Sequence, residues 1–535
     1  MSALVAQYGK GAFGRPPRLL VMLCVAAAFA VLGAGLLGGM LITRPGPVEE
    51  APNVDPEYPV TAMDQSVGLS NNSPRLVADP LEPRFVVMAN RLDAPDFGCA
   101  LQLSGDAGET WAPGHPVTEL PDGTEKCYAP EVGFDRQGTL YYLFIGLAGR
   151  GNEPMGAFLT TSTDRGRTFS APRRILGPLS FGVRMAIDHT MGDGRLHLVW
   201  LQATSETPLG GFGPPPNPIL TAYSDDGGNT FSEPVRVSDG FRERVVAPAL
   251  AIGPNRAVYV GYYDLEDDAV DYQGLEGATW EGTWSIVLAT SEDGGRHFRP
   301  GVIVDGDIVP SERVMLIFTM PPASLAVHGE RVCAAWTDGR NGDPDAVSRC
   351  SHDKGRTWEQ LRRLNDDTLG NGKHQSLPQL ATAPDGRLDA VFFDRRADPR
   401  NILRDVYFTY STDGGRHFAP NLPVTTRGFD SRIGQRYGVP SAQGQIEWGS
   451  RLGLLSRGTD ALAAWPDTRN SRPQSTAQDL FTAQIHIPVS TTEWTRIMGA
   501  ALLAVGVFVG AGVGARSIQR SKRSALMDTE LPPEA

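Results

Sequence analysis

Ser411-Thr-Asp413-Gly-Gly415-Arg-His417-Phe418 is one of six copies of a single pattern, Ser-x-Asp-x-Gly-x-(Thr/His)-(Trp/Phe). The other copies begin at Ser104, Ser162, Ser224, Ser291 and Ser351, so the pattern returns about every sixty residues. Ser and Asp side chains hydrogen-bond to nearby backbone, and Gly supplies a φ > 0 that other residues resist. The closing Trp or Phe starts a strand and buries its ring between neighbouring sheets. The pattern is therefore a hairpin that builds and anchors its own turn. A residue repeated in every unit serves what every unit shares, so the recurring Asp is read as structural rather than catalytic.

Each copy is preceded by two apolar strands joined by a turn. Examples are Pro74-Arg-Leu-Val-Ala-Asp79 with Phe85-Val-Val-Met88, and Pro130-Glu-Val-Gly-Phe134 with Leu140-Tyr-Tyr-Leu-Phe144. A seventh pair, Arg451-Leu-Gly-Leu-Leu455 with Ala461-Leu-Ala-Ala-Trp465, has no such turn after it. One strand follows, Asp479-Leu-Phe-Thr-Ala-Gln-Ile485. The seventh unit thus lacks an outer strand. Strands after the turn read Pro116-Val-Thr118 and Pro423-Val-Thr425, and the same triplet stands upstream of the first unit at Pro59-Val60-Thr61. This N-terminal strand is expected to complete the seventh unit and leave no open edge.

The turn resembles the Asp-box, or BNR, repeat of sialidases and related β-propellers, over roughly residues 58–488. The resemblance implies an all-β, seven-bladed β-propeller, with six blades, the usual sialidase count, as the runner-up. Blade topology then selects among the three pairings open to the four cysteines outside the first apolar segment. Cys333 begins a second strand and Cys350 ends a third, on one face. Cys99 and Cys127 flank the connection between the first two blades on the opposite face. The expected disulfides are Cys99–Cys127 and Cys333–Cys350.

Two apolar segments bracket the repeats. Residues 19–42 follow Lys10, Arg15 and Arg18, and their length satisfies the requirement of about twenty residues for a membrane span. The stretch is longer than a secretory h-region, and Gly-Gly-Met-Leu-Ile-Thr is a poor cleavage site, which favours an uncleaved signal anchor over a cleaved signal peptide. Residues 497–515 form the second segment, followed by Arg516, Arg520, Lys522 and Arg523. Basic flanks belong inside. The expected layout is a cytoplasmic N-terminus (1–18), a transmembrane helix (19–42), a linker (43–57), an extracytoplasmic propeller (58–488), a second transmembrane helix (497–515) and a cytoplasmic tail (516–535). The chain's net charge of −12 becomes −18 for residues 45–495 once the basic ends are set aside. Such a surface excludes nucleic acid as a partner.

The loops opposite the repeated turns carry a further repeat: Trp336-Thr-Asp338-Gly-Arg340, Phe393-Asp394-Arg395-Arg396 and Trp465-Pro-Asp467-Thr-Arg469. Paired Asp and Arg can grip a carboxylate or sugar hydroxyls, or they can brace the loops. Repetition favours bracing. Asp338, Arg340, Asp394, Arg395, Asp467 and Arg469 are the binding-face candidates. The sialidase resemblance implies three arginines on a carboxylate, a Tyr–Glu nucleophile and an acid/base Asp. The family's Tyr/Phe-Arg-Ile-Pro motif has no match here; Ser73-Pro74-Arg75-Leu76 is the nearest segment, with its Pro misplaced. Were the chain a glycosidase, Arg432, Arg436, Tyr437 and Glu447 would be the catalytic candidates. No cofactor is expected. The acidic fourth-unit loop, with Asp264, Asp267, Asp268 and Asp271, offers oxygen ligands of the kind calcium takes, and a solvated acidic loop is the competing reading. The expected function is a membrane-tethered propeller that binds a protein or cell-surface glycan, or assists assembly of a membrane complex. An exo-glycosidase resembling sialidases is the alternative, so whether the chain is an enzyme stays open, with non-catalysis favoured.

Overall fold

The computed structural model describes residues 51–488 apart from 62–68, 117–119, 122, 151, 191–193, 205–214, 270–280, 311–319, 435–447 and 473–474. Both apolar segments, 19–42 and 497–515, lie outside the described residues. Among the described residues no helix is long and apolar enough to cross a membrane.

Within the unit Pro52–His486 the strands form seven antiparallel sheets, each a meander in chain order. Blade 1 runs Asn71–Ala78, Val86–Leu92, Gly98–Ser104 and Ala112–Gly114. Blades 2 to 6 begin with Lys126–Phe134, Ser180–Asp188, Val245–Ile252, Ser324–His328 and Gln375–Thr382. Each first strand lies against the first strands of both neighbouring blades, and that of blade 7 lies against that of blade 1. The seven first strands therefore ring a central channel, and the fold is a seven-bladed β-propeller.

Blade 7 is Gly453–Ser456, Asp460–Asp467 and Asp479–His486. Its outer edge is closed from the N-terminal side, as the repeated Pro-Val-Thr triplet predicts. Asn53–Val54 and Tyr58–Pro59 both pair antiparallel with Asp479–His486. The Val60 N–H donates to the Leu480 carbonyl at 2.8 Å, and the Leu480 N–H donates to Thr61 Oγ1 at 2.8 Å. Val60 and Leu480 then share a core with Leu76, Val86 and Met88 of blade 1 and Leu462 and Ala464 of blade 7.

All six repeated turns use one hydrogen-bond net. The Ser hydroxyl donates to Asp Oδ1 at 2.7–2.8 Å and accepts the N–H of the second Gly position at 2.8–2.9 Å. The Thr or His N–H donates to the same Asp oxygen at 2.9–3.0 Å. Hydrogen bonds from Thr168 and Ser162 hold the Asp164 carboxyl at about 2. Both expected disulfides are present, Cys99–Cys127 joining blades 1 and 2 and Cys333–Cys350 joining directly paired strands of blade 5.

The first strands share one irregularity that bears on function. In blades 1, 2, 3, 4 and 6 they bulge at the same register, around Ser73, Ala129, Gly182, Ala247 and Leu377, whose φ lies between 49° and 56°. A bulge bends a strand and re-aims the side chains after it. Here it sets the positions of Arg75, Glu131, Arg184, Ala249 and Gln379.

Candidate functional site

The Asp-x-Arg repeats sit at the ends of second strands, and their acids are spent on the fold. Trp336 Nε1 donates to Asp338 Oδ2 at 3.0 Å, and Trp465 Nε1 donates to Asp467 Oδ2 at the same distance. The Arg340 and Arg469 backbones and guanidiniums donate back to those carboxylates at 2.6–3.0 Å. Asp338, Asp394 and Asp467 are fully buried, so none of the three can meet a ligand from solvent. The arginines then reach a second acid. Arg340 Nη2 donates to Asp305 Oδ1 at 2.7 Å, on the outer strand of blade 4, and Arg469 clasps Glu57 at 2.6 and 2.9 Å. In the middle copy the equivalent arginine is Arg396, not the expected Arg395. Arg396 Nε donates to Asp394 Oδ2 at 2.8 Å and Nη1 pairs with Asp366. Arg395 instead donates its backbone N–H to the His374 carbonyl and Nη1 to that of Asn401. The recurring spacing within the chain is Asp-x-Arg, and counting two residues on from the Asp would have found it.

Of the glycosidase candidates, Arg436, Tyr437 and Glu447 lie outside the described residues. Arg432 is exposed and donates Nη2 to Asp430 Oδ2 at 2.7 Å. In the acidic fourth-unit loop, Asp264 accepts Arg242 Nη1 at 2.7 Å and Asp268 accepts Trp284 Nε1 at 3.1 Å. Asp267 is exposed, and Asp271 lies outside the described residues. Among the described residues no group of three His, Cys, Asp or Glu side chains is placed to hold a metal ion.

The charges that do converge stand in the channel. The residue after the bulge pairs with the same second-strand site in each bulged blade, Arg75 with Ala89, Glu131 with Leu143, Arg184 with Val199, Ala249 with Gly261 and Gln379 with Val391, and in the unbulged blade 5 Ser324 with Ala335 takes that place. Blade 7 has Gly453 opposite Ala464. Around this ring the charges fall on blades 1 to 3, while blades 4 to 7 carry Ala, Ser, Gln and Gly. Arg451, two residues before Gly453, completes the cluster. Its Nη1 donates to Glu131 Oε1 and its Nη2 to the Pro130 carbonyl at 2.9 Å. Blades 7 and 2 are not neighbours, so this contact crosses the channel. Arg184 Nη1 donates to the same Glu131 oxygen at 2.9 Å, and Arg75 Nε stands 4.0 Å from Glu131 Oε2.

Burial pushes the Glu131 carboxyl up, but the charges of Arg451, Arg184 and Arg75 outweigh it and hold the pKa at about 2. Burial brings Arg451 down to about 10, with Glu131 opposing and Arg184 and Arg75 adding to the drop. Glu131 is thus a permanent carboxylate. It can orient cations, but it cannot serve as a general acid near neutral pH, which needs a pKa near the working pH.

No protein-family model matches the chain. No curated protein matches it. Among solved structures it is similar to a Dyadobacter fermentans protein of unknown function, with a TM-score of 0.45 and 13% identity over 82% of this chain and 100% of that one. It is also similar to the Hadza microbial sialidase Hz136 (TM-score 0.41, 16% identity, 76% of this chain and 74% of that one). A third similarity is to the Penicillium chrysogenum alpha-L-arabinanase (TM-score 0.39, 11% identity, 69% of this chain and 95% of that one). These similarities assign no chemistry to this chain.

Proposed function

We propose that the propeller is a membrane-tethered, extracytoplasmic binding module that holds a protein or glycan of a membrane complex, rather than a hydrolase. The observation that carries this reading is the fate of the acids at the second-strand ends and in the channel among the described residues, outside which the glycosidase candidate Glu447 lies. Asp338, Asp394 and Asp467 are buried and clasped by their own arginines, and Glu131 is clamped as a carboxylate. A glycosidase needs two carboxyl groups flanking the scissile bond, one of them able to donate a proton. The two disulfides support an oxidising compartment. The apolar segments 19–42 and 497–515, each flanked by basic residues, support anchoring with both ends cytoplasmic.

Purification of the full chain from membranes in mild detergent tests the reading. A partner recovered in fixed stoichiometry is the expected result, and a chain that always elutes alone counts against it. Hydrolysis of a fluorogenic sialoside by the purified chain, lost in Tyr437→Phe, would replace binding by the exo-glycosidase alternative.

A further inference from the structure

The channel cluster is over-supplied with positive charge. Arg75, Arg184 and Arg451 face one carboxylate, Glu131, which leaves two positive charges uncompensated within the cluster. Each guanidinium carries five N–H donors, yet the three make only three hydrogen bonds among the described residues. The Nε–H groups of Arg184 and Arg451 are buried without a hydrogen-bond partner among those residues, and that of Arg75 lies beyond hydrogen-bond reach of Glu131. The Arg451 side chain is nine-tenths buried and that of Glu131 almost wholly so. Buried charges are ordinarily paired, because desolvating them alone costs far more than pairing returns.

The rest of the ring carries no charge. At the equivalent positions blades 4, 5, 6 and 7 place Ala249, Ser324, Gln379 and Gly453. Gln379 is turned aside, its Nε2 donating to Ser324 Oγ at 2.8 Å. Large charged side chains therefore occupy one side of the channel, and small or uncharged ones the other.

We infer that the channel binds a small, doubly charged oxyanion, of the hydrogen phosphate or sulfate class, held by Arg75, Arg184 and Arg451 beside Glu131. Two negative charges neutralise the cluster, and the oxyanion's several acceptors match the unspent guanidinium donors. Glu131 orients the arginines and sets the site's selectivity, since it repels an anion that does not engage all three. The site is separate from the docking role proposed above, and either can fail without the other.

Calorimetric titration of the purified full-length chain with inorganic phosphate tests the site, with sodium chloride adjusted to hold ionic strength constant so that screening does not imitate binding. Saturable binding at one phosphate per chain is expected. Arg75→Met should weaken it by roughly tenfold or more, the worth of a charged hydrogen bond. Arg75 is the most exposed of the three arginines, so its replacement is the one the fold best tolerates. Without phosphate, the same variant should unfold at the wild-type temperature or above, because one uncompensated charge is gone. Glu131→Gln, if it folds, should bind phosphate more tightly than wild type. The inference is overturned if the wild-type chain shows no saturable uptake of phosphate or sulfate up to about 10 mM. It is equally overturned if Arg75→Met binds like wild type, or if that variant is less stable than wild type without the anion, which would make the third arginine purely structural.

Discussion

His197 lies in the second strand of blade 3, fully buried, with neither ring nitrogen hydrogen-bonded among the described residues. Burial and the nearby Arg195 charge bring its pKa down to about 4, against weaker opposing pulls from Asp188 and Asp225. Above pH 6.5 the ring is neutral in both folded and unfolded chains and contributes nothing to pH dependence. Between 6.5 and about 4 only the unfolded chain takes up the proton, so stability falls as pH falls, by about 3 kcal/mol over the window. Urea unfolding of the full chain at pH 7 and pH 4.5 should show this loss, and His197→Leu should lose less over the same interval. An equal loss in the variant would assign the acid sensitivity to other groups. His197 and the channel cluster share a reason for escaping a reading of the sequence. Arg75, Glu131 and Arg184 stand inside apolar strands, each directly after a Pro or Val, at positions that are structurally equivalent. A charged residue at a recurring place in an apolar strand was the available signal. What hid its meaning is that the four partners come from blades far apart in the chain, and only the closed ring brings them together.

The repeated turn is the element on which blade packing depends, and its Gly serves two purposes. Gly108 has φ +98°, and a Cβ there would stand 2.6 Å from Leu462 Cδ2 of blade 7. Gly228 likewise abuts Leu159 of blade 2, and Gly355 abuts Leu288 of blade 4. These three turns are thus pressed onto the preceding blade, closer than an unshifted side chain allows. Gly108→Ala should therefore combine backbone strain with overpacking and cost about 2–4 kcal/mol. Gly105→Ala in the same turn meets nothing within 4 Å and should stay within about 0.5 kcal/mol of wild type. Thermal unfolding of the two variants checks the contrast, and equal effects would refute the packing account. At this scale the sequence was most informative. Turn chemistry is local, so six turns, the seven strand pairs and both disulfides could be placed from spacing and blade order. Local chemistry also explains the one misassigned side chain of the Asp-x-Arg repeat. Two consecutive arginines follow Asp394, and only the geometry shows that Arg396 takes the position of Arg340 and Arg469.

A propeller is stable as a whole only if its first and last blades are joined, and here that join relies on a segment about 400 residues upstream of the strand it pairs with. The Pro59-Val60-Thr61 strand was legible because its triplet repeats elsewhere; the acid beside it was not, because Glu57 belongs to no repeated pattern. The Glu57 side chain is almost fully buried. It accepts Arg469 Nη1 and Nη2 at 2.6 and 2.9 Å, and Thr426 N–H and Oγ1 at 3.0 and 2.6 Å. One carboxylate thus ties the loop after blade 6, the Asp467–Arg469 pair of blade 7 and the closing strand. In blades 5 and 6 the equivalent arginines find their second acid at Asp305 and Asp366, in the preceding blade or its connection. Blade 7 draws it from the N-terminus instead, so the same contact that braces other blades here also closes the ring. Glu57→Gln leaves a buried guanidinium short of a counter-charge and should destabilise the chain by about 2–4 kcal/mol. Glu82 makes a comparable contact with Arg165 at 2.5 Å but is half exposed, and Glu82→Gln should cost no more than about 0.5 kcal/mol. If Glu57 closes the ring, its variant should also expose the edge of Asp479–His486, read as faster hydrogen exchange at the Leu480 and Thr482 amides than at those of Gly98–Ser104 in blade 1. Uniform acceleration across all blades would mean that Glu57 contributes only to global stability and that the ring is held shut elsewhere.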